Sequence, residues 1–288
     1  MASDNRFAVL IDADNVSVKY IKIILDEISK DGIATYKRIY GDWTNPSLIS
    51  WKSVLLDNSI NPIQQYSYTT GKNSTDSAMI IDAMDILYSG KVDGFCLVSS
   101  DSDFTRLAAR LRESGMTVIG MGESKTPNSF IAACNKFKYL DILSAADEEE
   151  PEEAPTPKPE PAKKAAPQKK APQKKAAAAK KAKEEPKPEK EQKAEPKRQQ
   201  QEEIEEPRTS LRTIRRALRT IVRENSDEDD WIIIGKIGNL LDKRYPDFDV
   251  RNFGFSKLTP FLESLDMFEI RDMKKDGNSS PQKYVRLK

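Results

Sequence analysis

Phe7-Ala8-Val9-Leu10-Ile11-Asp12-Ala13-Asp14-Asn15 is the stretch that sets the fold. Five consecutive apolar residues read as a strand buried on both faces, the pattern of a parallel sheet covered by helices. Two acids follow at once, where such a strand must leave the sheet. Downstream the pattern repeats. Ala34–Tyr40, Ile63–Tyr68, Gly94–Val98 and Met116–Met121 read as strands. Val16–Ser29, Pro46–Leu56, Thr75–Tyr88, Phe104–Glu113 and Asn128–Phe137 read as helices, with Asn45 as a cap and Pro46 in the first turn of its helix. Strand–helix alternation of this kind predicts a parallel α/β sheet.

In open parallel sheets, ligands bind outside the carboxyl ends of the strands. Asp12 and Asp14 follow the first strand, and Asp101 and Asp103 follow the strand ending at Val98. If those strands are neighbours, four aspartates converge, and Asp76 at the start of a helix can join them from the same edge. Packed carboxylates repel one another and raise one another's pKa. A hard divalent cation such as Mg²⁺ or Mn²⁺ relieves that repulsion, and it can activate water and stabilise charge on a phosphoryl group. Each acid also has a plainer reading as a helix cap or first-turn acid. Asp82, six residues after Asp76, faces another side of its helix and ranks lower, with Asp85. Lys72 is a candidate phosphate contact. Ser99 and Ser100 are candidates to support the site by hydrogen bonding.

Composition narrows the chemistry. The chain has 288 residues and no histidine. That excludes His-based acid–base catalysis, Ser-His-Asp triads and His-ligated zinc. The two cysteines, Cys96 and Cys134, sit in apolar surroundings and read as buried thiols. There is no apolar run long enough to span a membrane and no signal-peptide plan at the N-terminus, so a cytoplasmic address fits.

The net charge of +1 hides segregation along the chain. After a first domain over residues 1–146, residues 147–207 hold no aromatic residue and read as a disordered charged linker. The linker begins acidic, then carries nine lysines and no acid between Lys163 and Lys183. That block reads either as a phosphate-binding tether or as a solubilising one. Residues 208–288 regain globular patterning. Leu211, Ile214, Leu218, Ile221 and Val222 form a helical stripe, a helix follows Trp231–Gly235, and Phe255–Leu265 supplies a third. Phe268–Ile270 and Tyr284–Leu287 alternate like a hairpin, so the segment has a winged-helix plan.

Three motif blocks now stand in order: Ile11-Asp12-Ala13-Asp14-Asn15; Gly71-Lys72-Asn73-Ser74-Thr75-Asp76 with Ile81-Asp82-Ala83; and Val98-Ser99-Ser100-Asp101-Ser102-Asp103-Phe104. Together they resemble the NYN domain of the PIN-like nucleases, in the bacterial branch that resembles the LabA-like (DUF88) proteins. The resemblance covers roughly residues 6–143. It implies a Rossmann-like sheet and Mg²⁺- or Mn²⁺-dependent RNA cleavage, with Asp12, Asp76, Asp101 and Asp103 as metal ligands and Asn15 positioning the site or the scissile phosphate. PIN-like domains often pair, so a homodimer is among the implied arrangements.

The C-terminal segment resembles the OST-HTH (LOTUS) domain through Trp231–Gly238, Lys243–Asp249 and Gly254–Leu258. That family implies RNA binding and, in some members, protein partners. Lys236, Lys243, Arg244, Arg251 and Lys257 are the candidate phosphate contacts. The aromatics Tyr245, Phe248, Phe253 and Phe255 read as core rather than as base-stacking platforms.

The expected function is therefore a metal-dependent endoribonuclease with an RNA-binding module. Two alternatives stand beside it. One is a non-catalytic, LabA-like regulatory protein that binds RNA or protein. The other is a haloacid-dehalogenase-like phosphatase, since Asp12-Ala13-Asp14-Asn15-Val16 also fits that family's nucleophile motif, although Ser100-Asp101-Ser102-Asp103 has the wrong spacing for its acidic motif.

Overall fold

The alternation of apolar runs and helical stripes produces a six-stranded parallel sheet with helices on both faces. The computed structural model describes residues 5–66, 74–149, 209–227, 229–273 and 281–288. In chain order the first domain contains β1 (Arg6–Asp12), α1 (Ile21–Asp31), β2 (Ile33–Gly41), α2 (Trp51–Asp57), β3 (Asn61–Gln64) and α3 (Ser74–Ser89). It continues with β4 (Gly94–Val98), α4 (Thr105–Glu113), β5 (Thr117–Gly122), α5 (Asn128–Ala133), β6 (Lys136–Tyr139) and α6 (Leu140–Glu149). The strand order is β3-β2-β1-β4-β5-β6, and every pairing is parallel. The order reverses between β1 and β4, the place where open α/β sheets form a crevice.

Strand alternation sorts β1 between two cores. Phe7, Val9 and Ile11 join α1, α2 and α6 on one face. Ala8 and Leu10 join α3, α4 and α5 on the other. Asp12 keeps the parity of Ala8 and Leu10, so it belongs to the α3 face. Cys96 lies in the first core and Cys134 in the second, both free. Burial pushes both thiols up, Cys134 to about 12.

Several expectations shift in detail. The helix read over Asn128–Phe137 ends at Ala133, and the chain then pairs as β6. Asn135 makes the switch, because its backbone N–H donates to the Val118 carbonyl and its side chain accepts from the Val118 N–H, both at 2.8 Å. The helix read over Pro46–Leu56 divides into a 3-10 turn at Pro46–Leu48 and α2, with Asn45 accepting from the Ser47 N–H as the cap. The strand read over Ile63–Tyr68 starts earlier and ends at Gln64; Ser67 and Tyr68 lie outside the described residues. The linker reading is overturned at its start, because α6 carries helix through Glu149, and from residue 150 onward it lies outside the described residues.

The C-terminal domain has α7 (Leu211–Asn225), β7 (Ile232–Ile233), α8 (Ile234–Arg244), α9 (Leu258–Ser264), β8 (Phe268–Met273) and β9 (Gln282–Leu287). Its three strands pair antiparallel in the order β7-β9-β8. Three helices and this small sheet enclose one apolar core. The helix expected from Phe255 starts only at Leu258, because Gly254 adopts a left-handed conformation (φ 78°) that closes the preceding turn.

The folded parts on either side of the central segment form one compact unit. They meet along β6. The Phe137 N–H donates to the Pro246 carbonyl at 2.7 Å. The Tyr139 hydroxyl donates to Asp247 at 3.3 Å, and Thr209 donates to the other oxygen of Asp247 at 2.5 Å.

Candidate active site at the carboxyl edge of the sheet

The carboxyl ends of β1 and β4 are direct neighbours, with Ile11 opposite Val98. Asp12 is therefore beside Ser99, and it is fully buried. Three donors converge on its carboxylate: the Ser99 hydroxyl at 2.7 Å, the Asn15 amide at 2.7 Å and the Asp14 N–H at 3.1 Å. Burial raises the Asp12 pKa, the three hydrogen bonds oppose that rise, and the charge of Asp14 adds to it. Ser99 also accepts from the Asp101 N–H at 3.1 Å, and Asp101 accepts from the Asp103 N–H at 2.9 Å. A hydrogen-bonded chain thus runs from the buried Asp12 to the loop that carries Asp101 and Asp103.

Asp76 approaches from the first turn of α3. One oxygen from each of Asp76, Asp101 and Asp103 lies within 4.8 Å of the others. Among the described residues, no ion pair involves Asp76 or Asp101. The Asp76 carboxyl is pushed up to about 6, first by burial and then by the charges of Asp12, Asp101, Asp103 and Asp14. This is the repulsion that a divalent cation removes, and an all-oxygen donor set of this kind could hold a hard divalent cation. Two buried hydroxyls lack a hydrogen-bond partner among the described residues, Ser74 Oγ and Thr105 Oγ1. Each is two residues from one of these acids.

The other candidates have distinct places. Asp14 and Asn15 are exposed at the rim. Ser100 accepts from the Glu123 N–H at 2.9 Å and so joins the β4 loop to the end of β5. Asp82 is bound by Arg38 and the Tyr40 hydroxyl, which pin α3 to β2. Its carboxylate is committed there, away from the three-acid group, and Asp85 is exposed on the same helix. Lys72 lies outside the described residues. Gly122 went unread in the sequence. A Cβ there would come within 2.7 Å of the Ser99 carbonyl and 3.0 Å of the Ser100 hydroxyl. The floor of the site therefore requires a residue with no side chain.

The NYN domain family matches residues 6–141, and the OST-HTH/LOTUS family matches residues 208–279. The chain carries an NYN domain followed by an OST-HTH/LOTUS domain. NYN domains have the PIN-like nuclease fold, and OST-HTH domains are associated with RNA binding. No curated protein matches the chain. Among solved structures, a protein of unknown function from Vibrio parahaemolyticus is similar at 20% identity and a TM-score of 0.41, covering 49% of this chain and 97% of its own. Among the described residues, no helix is long and apolar enough to cross a membrane.

In the OST-HTH domain the candidate cations separate by environment. Lys243, Arg244 and Lys257 are exposed and make no ion pair among the described residues. Lys236 donates to the Asn225 carbonyl at 3.3 Å. Arg251, read as a phosphate contact, turns instead toward the NYN domain. Its guanidinium spans Glu27 at 2.6 and 3.0 Å and also holds Asp249 at 2.6 Å. Glu27 is buried on α1 and is joined there by Lys30 and Lys138. Burial alone would raise its pKa, but the hydrogen bonds from Arg251, Lys30 and Lys138 and the charge of Lys138 hold it well below the ordinary range. The aromatic residues are core, as expected: Phe248, Phe253 and Phe255 surround Phe261 at 5.2–6.0 Å between ring centres.

Proposed function

We propose that this protein is a divalent-metal-dependent endoribonuclease whose OST-HTH domain holds RNA for the NYN active site. The observation that carries the reading is the approach of Asp76, Asp101 and Asp103 to within 4.8 Å at the sheet's switch point. These three would hold Mg²⁺ or Mn²⁺, which when bound lowers the pKa of water and stabilises charge on a phosphoryl group. Asp12 acts beneath them. Its charge adds to the field at Asp76, and through Ser99 it fixes the loop that presents Asp101. Asn15, anchored on Asp12, stands exposed at the rim where a phosphate would lie. Lys243, Arg244 and Lys257 are the remaining candidates for phosphate contact in the OST-HTH domain. The phosphatase alternative asks Asp12 to attack phosphorus, and full burial under three hydrogen bonds argues against that role.

The test is cleavage of single-stranded and structured RNA by the purified chain with Mg²⁺ or Mn²⁺, with and without chelator, beside Asp101→Asn. The expected result is cleavage that chelator abolishes and the substitution reduces by at least a hundredfold. Wild-type protein that cuts no RNA with either metal, or an Asp101→Asn variant as active as wild type, overturns the proposal.

A further inference from the structure

α7 carries Arg212, Arg216, Arg219 and Arg223 at spacings of four, three and four residues. At 3.6 residues per turn these side chains share one narrow arc and span roughly 16 Å along the axis. The opposite face is the buried stripe Ile214, Leu218 and Ile221. All four arginines are exposed, and none has an ion-pair or hydrogen-bond partner for its side chain among the described residues. Like charges at these spacings repel. The single acid of the helix, Glu224, lies roughly a third of a turn from the stripe. The fifth arginine, Arg215, leaves the row and donates to the Leu265 carbonyl at 2.8 Å.

Elsewhere in the domain the exposed cations without an ion pair named above, Lys243, Arg244 and Lys257, sit at the end of α8 and just before α9 and form no such row. In the wing, Arg271 and Arg286 are paired with Glu269, Lys283 with Asp272 and Lys288 with Asp266. α9, the helix that a winged-helix protein most simply inserts into a groove, is Leu-Thr-Pro-Phe-Leu-Glu-Ser and holds no cation. We infer that the arginine stripe of α7 is the surface by which the C-terminal domain holds the sugar–phosphate backbone of RNA. This rests on the RNA-binding half of the function proposed above. Guanidinium groups match phosphate oxygens in a two-pronged geometry that neutral side chains cannot supply. α7 contributes no aromatic side chain for stacking on a base, so the stripe tracks the backbone without reading its sequence.

The test uses the full chain in chelator, where no RNA is cut, with a fluorescent oligouridylate as probe. Affinity is measured across a salt series for wild type, for a variant with all four arginines changed to glutamine, and for one with all four changed to lysine. A single-strand phosphate contact contributes about 0.7 to the slope of log affinity against log salt. The glutamine variant is expected to lose about 3 from that slope, to bind more weakly at every salt concentration and to melt no lower than wild type. The lysine variant is expected to keep the slope. A glutamine variant with unchanged slope and affinity overturns the inference while leaving the nuclease proposal standing. A slope that falls only when the lysines of 163–183 are replaced also overturns it. Wild-type protein that does not bind the probe removes both the stripe and the RNA-holding role, and the cleavage assay then judges the catalytic half alone.

Discussion

Asp76 records the tension in the site most directly, because its carboxyl lies near 6 where 3.8 is ordinary. A folded-state value above the unfolded one means that the native protein prefers this group protonated. Metal-free stability therefore falls as pH rises from about 4 to about 6. A bound cation reverses the preference. Mg²⁺ or Mn²⁺ is expected to raise the melting temperature at neutral pH, and to raise it less at pH 5, where protons compete for the same oxygens. Asp76→Asn should stabilise the metal-free protein at neutral pH by about 1 kcal/mol and abolish the metal increment, both read by thermal denaturation. Gly122→Ala tests the floor of the site. Its new Cβ meets the Ser99 carbonyl, which is backbone and cannot swing aside. We expect a loss of roughly 1–3 kcal/mol from overpacking. RNA cleavage should fall further than stability alone would give, because Ser99 positions both Asp12 and Asp101. A variant with normal cleavage would show that the loop tolerates the shift.

At the scale of elements, α1 shows how much a sequence pattern holds and where it stops. Its apolar residues Ile21, Ile24 and Ile28 mark a helix packed on the sheet, and that reading stands in the structure. Glu27 lies on the same stripe, three residues from Ile24, and is as buried as its neighbours. A carboxylate on an apolar stripe signals a missing cation, but nothing local says that Arg251, 224 residues away, supplies it. The acidic pairs were legible for the opposite reason: each directly follows a strand, so the topology alone brings them together. The convergence of Asp76 was legible only as an option, since it depends on how α3 returns across the sheet. β6 was hidden because four residues cannot declare a period beside a helical run. Glu27→Ala removes the carboxylate shared by the half-buried Lys138 and by Arg251, which keep Asp31 and Asp249 as partners, and should cost about 2 kcal/mol through the lost charged hydrogen bonds. The depressed pKa of Glu27 sets the pH behaviour of this contact. Its contribution is complete above the ordinary value of 4.5 and is lost gradually as pH falls from there toward its much lower folded value. Limited proteolysis at neutral pH should release the C-terminal domain faster from Glu27→Ala than from wild type, and wild type should still resist near pH 4, where Glu27 keeps its charge in the folded protein.

For the whole molecule, the one hydrogen bond from the Phe137 N–H to the Pro246 carbonyl has a consequence for solubility. β6 is the last strand of its sheet, and the outward N–H of Phe137 is taken by the C-terminal domain rather than by water. An uncovered strand edge is a template for pairing with another chain. Cutting the protein after residue 149 would strip away that cover and leave the Phe137 N–H and the Tyr139 hydroxyl without their partners. Such a fragment should associate with itself and precipitate at concentrations where the intact chain stays monodisperse, which light scattering would show. The module proposed to gather the polyanion would then double as a built-in guard against aggregation.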